Sequence, residues 1–338
     1  MIQILLTFDL ELFLGNKIGT VENCIYKPTL EILNILKKYQ IPGIFFVDAG
    51  YLLALKEKKR HYVELQRDYD LFLKTLNLIS KSKSFIELHL HPQWIKSVFK
   101  NGRWYLNNKL YRIQDFNENE RKEIITESVN LLENVSENKI VAFRAGGWCI
   151  EPFYKIKYIL EDLNIFIDSS VFYGGCIKTN FYSINFKNVP KKDLYPFSDT
   201  PLKEDPNGKF LEVPITSYKY TPLFYLKLLL SKKLKKQELT QFGDGCPIKS
   251  KFFNKLKYFL KSHYYPVSLD LYRASALKNA LEIALKNENK FFVIMSHPKR
   301  MSCYSMKKME EFIADCIKKH FNFISYRDIS KNYLKSKI

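Results

Sequence analysis

The sequence predicts an α/β fold, a distorted (β/α) barrel of parallel strands, and three observations support this prediction. Short apolar runs alternate with longer segments of helical periodicity, which is typical of parallel strands joined by crossover helices. Eight of the runs qualify as strands, the number that closes such a barrel. Polar residues follow several runs, at the edge where barrel enzymes place their active sites. A doubly wound open sheet is the alternative.

Each element is predicted from its local pattern. The predicted strands are Ile2–Phe8, Gly43–Val47, Phe85–His91, Ile140–Phe143, Ile165–Ile167, Phe210–Ile215, Phe291–Met295 and Phe321–Ile324. The predicted helices are Thr29–Tyr39, Tyr62–Ser80, Glu118–Asn134, Pro152–Leu163, Ala274–Lys286 and Ser305–Lys319. Pro152 is expected to begin its helix, because the first turn does not need the N–H that proline lacks.

One stretch departs from this alternation. Residues 171–270 are rich in proline, tyrosine and lysine, with one strand pattern and two basic helical patterns. We interpret this stretch as an elaborated insertion within a single domain that spans residues 1–338, since no internal repeat divides the chain.

The composition indicates a packed protein with an anionic partner. Of 338 residues, 46% are hydrophobic, which supports a sizeable core and argues against global disorder. Lysine and arginine outnumber acidic residues by 54 to 35, and the resulting charge of +19 suits a phosphorylated sugar or an acidic membrane. A general lysine bias is the plainer explanation. The lysines are spread along the chain without a nucleic-acid-binding motif, so we expect no nucleic-acid partner.

The sequence also predicts a compartment. No two of the six cysteines form a CxxC pair, which argues against a zinc ribbon. The first apolar run leads directly into Asp9 without a signal-peptide pattern, and no run approaches the length of a membrane span. We therefore expect a cytoplasmic protein with reduced cysteines.

Two strand ends carry candidate metal ligands. Asp9 and Glu11 follow the first run within LTFDLE, and both face the same side because strand side chains alternate. His89 and His91 share one face of the third strand within FIELHLHPQW, which brings two imidazoles within reach of one ion. Carboxylates beside a buried run are costly without a cation, so the pattern predicts a divalent metal. Solvent-exposed carboxylates and structural histidines are the plainer interpretations.

Three later strand ends carry further candidates. Arg144 ends the fourth predicted strand within FRAGGW, and Gly146–Gly147 allows the backbone to approach a ligand closely. Asp168 ends the fifth strand within IDSSV, and His297 ends a late strand within VIMSHP. Each alone has an ordinary structural explanation, such as an ion pair, a cap or a core histidine. Together they fall at one rim of the predicted barrel, where active sites form.

These motifs, in this order, resemble those of the polysaccharide deacetylase family, also called the NodB homology domain or carbohydrate esterase family 4. The likeness covers residues 1–170 and 205–330. The motifs TFD-x-E, LHLHP, FRAGG, DSS and SHP are most similar to the branch found in lipopolysaccharide O-antigen and capsule gene clusters. The resemblance implies a NodB-type barrel and a metal-dependent hydrolase that removes an N-acyl group, expected to be acetyl, from an amino sugar.

The resemblance also implies a role for each motif residue. The implied roles are Asp9 as general base, Glu11, His89 and His91 as ligands of a divalent ion expected to be zinc, Arg144 as the residue that orients the base, Asp168 as the residue that tunes the acid, and His297 as general acid. Backbone N–H groups near Gly146 and Gly147 are expected to face the substrate. Trp94 and Trp148 are candidates to stack on sugar rings, with core packing as an equal alternative.

The sequence departs from the family pattern at three points. Leu10 separates two carboxylates that are adjacent in the common first motif. The histidines are two residues apart instead of four, so Glu87 on the same strand face is a reserve ligand. Ala145–Gly146 stands where the usual third motif has proline.

Two other functions compete with this one. A barrel hydrolase of the amidohydrolase type needs more metal histidines on later strands, where His297 and His320 are the candidates. A non-catalytic glycan-binding or assembly protein on a deacetylase fold would not need the acid and base motifs that are intact here.

The stretch PLFYLKLLLSKKLKK, residues 222–236, predicts an amphipathic helix that contacts an anionic membrane weakly. One stripe contains Leu223, Leu226, Leu230 and Leu234, and lysines flank or oppose it at Lys227, Lys232, Lys233, Lys235 and Lys236. With such a contact, the substrate would be a lipid-linked or nucleotide-linked amino sugar at the inner membrane face. Packing of the stripe on the barrel is the alternative.

Overall fold

The computed structural model describes residues 2–234, 237–248 and 259–336. Its strands are β1 Gln3–Leu10, β2 Ile44–Asp48, β3 Phe85–Leu90, β4 Val98–Lys100, β5 Arg103–Tyr105, β6 Ala142–Ala145, β7 Ile167–Asp168, β8 Cys176–Lys178, β9 Ser183–Asn185, β10 Tyr195–Phe197, β11 Phe210–Glu212, β12 Ser217–Tyr220, β13 His263–Pro266, β14 Phe291–Ser296 and β15 Asn322–Phe323. Its α-helices are α1 Lys27–Tyr39, α2 Ala49–Lys58, α3 Val63–Ser80, α4 Glu118–Ser136, α5 Lys157–Asp162, α6 Pro222–Leu234, α7 Leu277–Lys286, α8 Cys303–Lys318 and α9 Tyr326–Ser336. Short helical turns add Glu22–Tyr26, Pro92–Trp94, Ile113–Asp115, Gly146–Trp148, Phe153–Lys155, Leu271–Ala276 and Pro298–Arg300.

One curled sheet organises the fold. Its strand order is β10-β11-β7-β6-β3-β2-β1-β14, and β15 pairs with the start of β1. All pairs in this sheet are parallel except β10 with β11. The order follows the chain without the reversal that defines a doubly wound sheet, so that alternative is wrong. The α/β class and the barrel-like curl are confirmed.

The edge strands of the sheet are β10 and β14, and irregular backbone that follows β11 lies alongside β14. The N–H of Thr216 donates to the carbonyl of Val293 at 3.1 Å, and the N–H of Val267 donates to the carbonyl of Thr216 at 2.8 Å. The N–H of Met295 in turn donates to the carbonyl of Val267 at 3.0 Å. These bonds bring the segment around residue 267 alongside β14, and with it the residues that follow.

Burial explains why the central strands are apolar on both faces. Residues 4–10 of β1 and all of β2 are buried, because helices cover one side of the sheet and side chains fill the inside of the curl. Helix α1 contributes Ile32 and Leu36 to this core. No helix among the described residues is long and apolar enough to cross a membrane.

All eight predicted strands lie in the main sheet, but several helices differ from the prediction. The helix expected from Pro152 begins at Lys157, because Pro152 has an extended backbone and precedes a short 3-10 turn. Helix α2 was not predicted; it begins where the Asp48 side chain accepts a hydrogen bond from the N–H of Gly50 at 3.1 Å.

The expected insertion is partly integral to the sheet. Strands β10 and β11 join the main sheet, whereas the hairpin β8–β9 and the pair β12–β13 form separate two-stranded ribbons. Helix α6 follows β12 and buries Tyr225 against Tyr220 and Ala276. Lys235 and Lys236 of the predicted basic helix lie outside the described residues.

Candidate metal centre and active site

Glu11, His89 and His91 come together where β1 and β3 end. Each residue offers one ligand atom, and these three atoms lie within 4.8 Å of one another. All three residues are buried. The Nε2 atom of His89 lies 3.1 Å from Oε2 of Glu11, and Nε2 of His91 contacts the same oxygen. The alternation predicted along β3 therefore places both imidazoles at one point.

The hydrogen bonds of the imidazoles suit a metal ion. Nδ1 of His89 lies 2.8 Å from the carbonyl of Arg144, which can only accept, so Nδ1 carries the proton and Nε2 keeps its lone pair. Nδ1 of His91 lies 3.2 Å from the Gln93 side-chain amide. The oxygen of this amide is buried without a partner, and turning it toward His91 would satisfy it and free the Nε2 lone pair of His91. One carboxylate and two imidazoles form a donor set that zinc accepts.

Lys299 neutralises the carboxylate of this set from the other side. Its Nζ lies 2.8 Å from Oε1 of Glu11 and 2.5 Å from the carbonyl of Leu12. Burial by itself would raise the pKa of Glu11, but the charge of Lys299 and the contacts with the two imidazoles outweigh it and hold that pKa well below its usual value. Glu11 is therefore ionised, as a metal ligand must be.

Asp9 lies beside the metal centre and accepts a hydrogen bond from a buried arginine. Nη1 of Arg144 donates to Oδ1 of Asp9 at 2.6 Å and to the Thr7 hydroxyl at 3.0 Å. Its Nε donates to the carbonyl of Ser169 at 2.8 Å, and the guanidinium lies 4.0 Å from the centre of the Phe46 ring. Arg144 is thus fixed on all sides, which leaves Oδ2 of Asp9 directed into the site.

His297 faces the same point from β14. Its Nε2 lies 3.9 Å from Oδ2 of Asp9 and 3.6 Å from Oε1 of Glu11. Its Nδ1 lies 2.9 Å from Oδ2 of Asp270, and its backbone N–H donates to Oδ1 of the same carboxylate at 2.9 Å. Although burial favours the neutral acid, the charges of His297 and Arg300 lower the pKa of Asp270, so Asp270 is ionised and orients the ring.

Asp168, expected to tune the acid histidine, does not contact it. Its carboxylate accepts from the N–H of Ser170 at 3.0 Å and from the Ser170 hydroxyl at 2.8 Å, and Glu212 lies opposite on β11. Burial, together with the charge of Asp168, raises the pKa of Glu212 well above its usual value, so Glu212 holds a proton. The expected partner role is therefore wrong for Asp168: β7 and β14 are not neighbours in the sheet, and Asp270 fills that place.

Two other expectations are also corrected. Glu87, the reserve metal ligand, points to the opposite end of β3, where its Oε2 accepts from the N–H groups of Val141 and Ala142 at 2.8 and 2.9 Å. Trp94 is fully buried and packs against Tyr51 at a ring distance of 4.7 Å, so it cannot stack on a sugar.

The glycine pair and the second tryptophan lie at the site. A Cβ on Gly146 would meet the carbonyl of Leu90 at 2.5 Å and Nδ1 of His91 at 2.7 Å, so glycine is needed for His91 to approach. Gly147, with φ of 59°, lines the cavity together with Trp148. Trp148 keeps the position predicted for a substrate-binding residue.

A cavity of about 580 Å³ opens over these residues, a size typical of small-molecule sites. The hairpin β8–β9 forms one wall through Lys178, Thr179 and Tyr182. Tyr182 stacks on Tyr111 with ring centres 4.5 Å apart, which holds the hairpin against the body of the protein. The cavity thus combines aromatic surface with polar groups next to the metal centre.

Three site residues escaped the sequence analysis. Asp270 ends the apolar stretch Val267–Leu269, which is too short and irregular to be recognised as a strand. Lys299 lies two residues after His297, so the same strand end carries both. Asp48 ends β2 and accepts from the N–H of His91 at 3.0 Å, which a search of the strand ends for carboxylates would have found.

Solved structures share this fold at low sequence identity. A protein described as a polysaccharide deacetylase, from Mycobacterium smegmatis, has a TM-score of 0.52 at 18% identity, covering 99% of this chain and 91% of its own. An allantoinase has a TM-score of 0.51 at 12% identity, covering 98% and 90%. A peptidoglycan N-acetylglucosamine deacetylase reaches 0.42 at 12% identity, covering 95% and 85%. No protein-family profile and no curated protein sequence matches the chain.

The first two structures show that the chain has the NodB-type half-barrel fold. A deacetylase and an allantoinase share it with this chain to nearly the same degree, so the fold leaves the substrate open.

Proposed function

We propose that this protein is a metal-dependent hydrolase that removes an N-acyl group, most simply acetyl, from an amino sugar. The observation that carries the proposal is the grouping of Asp9 and His297 on either side of the Glu11–His89–His91 cluster. A base and an acid beside a metal centre are what amide hydrolysis requires. The deacetylase among the fold neighbours supports the same reaction.

The reaction needs a proton taken from water and a proton given to nitrogen. A divalent ion, zinc by our proposal, held by Glu11, His89 and His91 would supply Lewis-acid polarisation of the acyl group and of water. Asp9 takes the proton of the attacking water through Oδ2, while Arg144 holds Oδ1. As the C–N bond breaks, Nε2 of His297 gives its proton to the departing amine.

The surrounding side chains keep these two groups in position. Asp270 fixes the His297 ring through Nδ1, so Nε2 remains directed at the site. Gly147 and Trp148 line the cavity, and we propose that backbone N–H groups of this turn donate to the developing oxyanion. Trp148, which lines the cavity, is the aromatic residue that we propose contacts the sugar ring.

The proposal is tested with the zinc-loaded enzyme and N-acetylated amino sugars, by NMR detection of released acetate. His89→Ala and His91→Ala should each lose most bound metal in elemental analysis. Asp9→Asn and His297→Ala should keep the metal but lower turnover by about 10²–10⁴-fold each. His61→Ala, an exposed histidine, is the matched control.

Two results would contradict it. Near-normal turnover by Asp9→Asn or His297→Ala removes the role assigned to that residue. A wild-type protein that binds metal and sugar but releases no amine would instead be the non-catalytic glycan-binding alternative.

The amidohydrolase alternative loses support from the site. Among the described residues, the metal cluster contains the two histidines at the end of β3 and none from a later strand. His320, one candidate for a further ligand, is exposed in the turn after α8.

We further propose that the enzyme acts in the cytoplasm at the inner membrane face, in surface-polysaccharide biosynthesis. All six cysteines are free, which suits a reducing compartment. Four leucines of α6, the predicted stripe, are exposed by 49–84%: Leu223, Leu226, Leu230 and Leu234. With Lys227 and Lys233 also exposed, this face suits an anionic lipid surface. A substrate linked to a lipid or a nucleotide would be available there.

A further inference from the structure

The carboxylates of the active-site cavity are already neutralised by neighbouring groups. Three carboxylates line the cavity, and their partners are Arg144 for Asp9, Lys299 for Glu11, and His297 with Arg300 for Asp270. A further cation at this wall therefore meets carboxylates that already have partners.

Two such cations line the cavity. Arg273 is half-buried, and Lys178 is exposed on the β8–β9 hairpin. Within residues 2–234, 237–248 and 259–336, neither side chain forms a hydrogen bond or an ion pair. The Asp270 carboxylate favours the charge of Arg273 without forming an ion pair with it. The half-buried guanidinium therefore still lacks hydrogen-bond acceptors, and such groups are found where a ligand supplies them.

Arg273 is also held in place. Its guanidinium lies over the ring of Tyr265, 4.2 Å from the ring centre, and Tyr265 in turn meets Trp148 edge to face at 5.9 Å. Its backbone N–H donates to the carbonyl of Asp270 at 3.1 Å. The short helix Leu271–Ala276 therefore fixes Arg273 one turn from the residue that orients His297.

We propose that Arg273, with Lys178 at the rim, binds an anionic group of the substrate, so that the enzyme acts on a charged amino sugar. This inference rests on the proposed function for the sugar itself. A guanidinium stacked on an aromatic ring keeps its N–H groups at its edges, where a phosphate or a carboxylate accepts two of them side by side. Tyr265 and Trp148 would then face the ring that carries this anion.

The test measures binding without turnover. The zinc-loaded Asp9→Asn enzyme is titrated by calorimetry with N-acetylglucosamine, N-acetylglucosamine 1-phosphate and N-acetylmuramic acid, which compare a neutral, a phosphate-bearing and a carboxylate-bearing sugar. We expect one charged sugar to bind more tightly than the neutral one. Arg273→Gln, added to this background, should reduce that preference by about 10- to 150-fold, the range for a lost charge-assisted hydrogen bond. Arg273→Lys keeps the positive charge but cannot donate two parallel hydrogen bonds. Its preference for the charged sugar should lie between those of Arg273 and Arg273→Gln.

Arg60→Gln removes one positive charge from an exposed position and is the matched control. An equal change in preference for Arg60→Gln and Arg273→Gln would overturn the inference, because it would reflect net charge alone. Equal affinity of the unmodified pocket for all three sugars would overturn it too. Because binding is measured without turnover, an anion preference that depends on Arg273 would stand even if no deacetylation were found.

Discussion

The buried carboxylate of Asp270 accepts two hydrogen bonds from His297, one from the ring and one from the backbone. Asp270→Asn should therefore lower turnover by about 10²-fold or more, because a misplaced acid loses much of the contribution of general acid catalysis. Metal content should stay near that of the wild type, since Asp270 is not among the ligands. Steady-state kinetics with elemental analysis measures both.

Asp168→Asn is the informative comparison. Asp168 bonds Ser170 and lies beside Glu212, so its substitution should lower the melting temperature more than the turnover per folded molecule. A larger loss of turnover in Asp168→Asn than in Asp270→Asn would return the tuning role to Asp168.

Glu87 gives the protein a pH-dependent stability that does not involve catalysis. Burial raises its pKa from the usual 4.5 to about 7, although the N–H groups of Val141 and Ala142 oppose this. The folded state thus binds the proton more tightly than the unfolded chain. Its contribution is fully present below pH 4.5 and is lost as pH rises through 7.

Glu87→Gln removes this ionisation while keeping an acceptor for both N–H groups. From pH 4.5 to 8, its unfolding free energy relative to the wild type should rise by about 3 kcal/mol, because the wild type must ionise Glu87 at a pKa of about 7 when folded and 4.5 when unfolded. Denaturant titrations across this range measure it. Glu123→Gln, on the exposed side of α4, controls for the lost charge, and a parallel rise there would remove the role of Glu87.

The sequence predicted the metal-site residues better than their partners. Glu11, His89 and His91 lie on two strands, and alternation along a strand fixes which side chains share a face. The same rule suggested Glu87 as a reserve metal ligand, and this was wrong. Residues that share a face of a strand do not all lie near the same end of it. The partner of His297 was missed because Asp270 follows an irregular segment whose position only the tertiary fold determines.

Helix α6 exposes apolar surface that the described part of the protein does not cover. Its packed side consists of Phe224, Tyr225 and Leu228, and the leucine stripe does not pack on the described part of the barrel. Leu226→Ser with Leu230→Ser should weaken binding to anionic liposomes by about tenfold or more, since each buried leucine contributes on the order of 1–2 kcal/mol. Flotation with phosphatidylserine vesicles measures this.

The control replaces exposed apolar residues elsewhere, Val63→Ser with Ile283→Ser, at positions 86% and 48% exposed. Binding should also fall with salt and in Lys227→Gln with Lys233→Gln. No binding of the wild type at low salt would end the membrane proposal, and the hydrolase proposal would be unaffected.

Elements were predictable where the hydrophobic pattern was long. Strands β1 and β3 and helix α3 have strong patterns and lie within a few residues of their predicted bounds. Helix α2 was missed because its apolar residues are buried on several sides and show little periodicity.

At the scale of the whole molecule, alternation of strands and helices was enough to predict the barrel. The residues that close it were not predictable, because Thr216 and Val267 bridge β11 and β14 without belonging to the main sheet. Their bonds depend on two distant segments meeting, and no local pattern encodes that.

This bridge separates the active-site residues into two groups that are held by different parts of the fold. The metal ligands stand at the ends of β1 and β3, where His89 belongs to the continuous ladder and Glu11 and His91 directly follow it, whereas Asp270 and Arg273 follow the bridging segment. Segments with few ladder bonds open locally at lower free energy than the core around them. When this one opens, His297 loses its orienting carboxylate while Glu11, His89 and His91 remain assembled. The metal content of a sample would then include molecules that are folded and hold their metal but cannot turn over substrate.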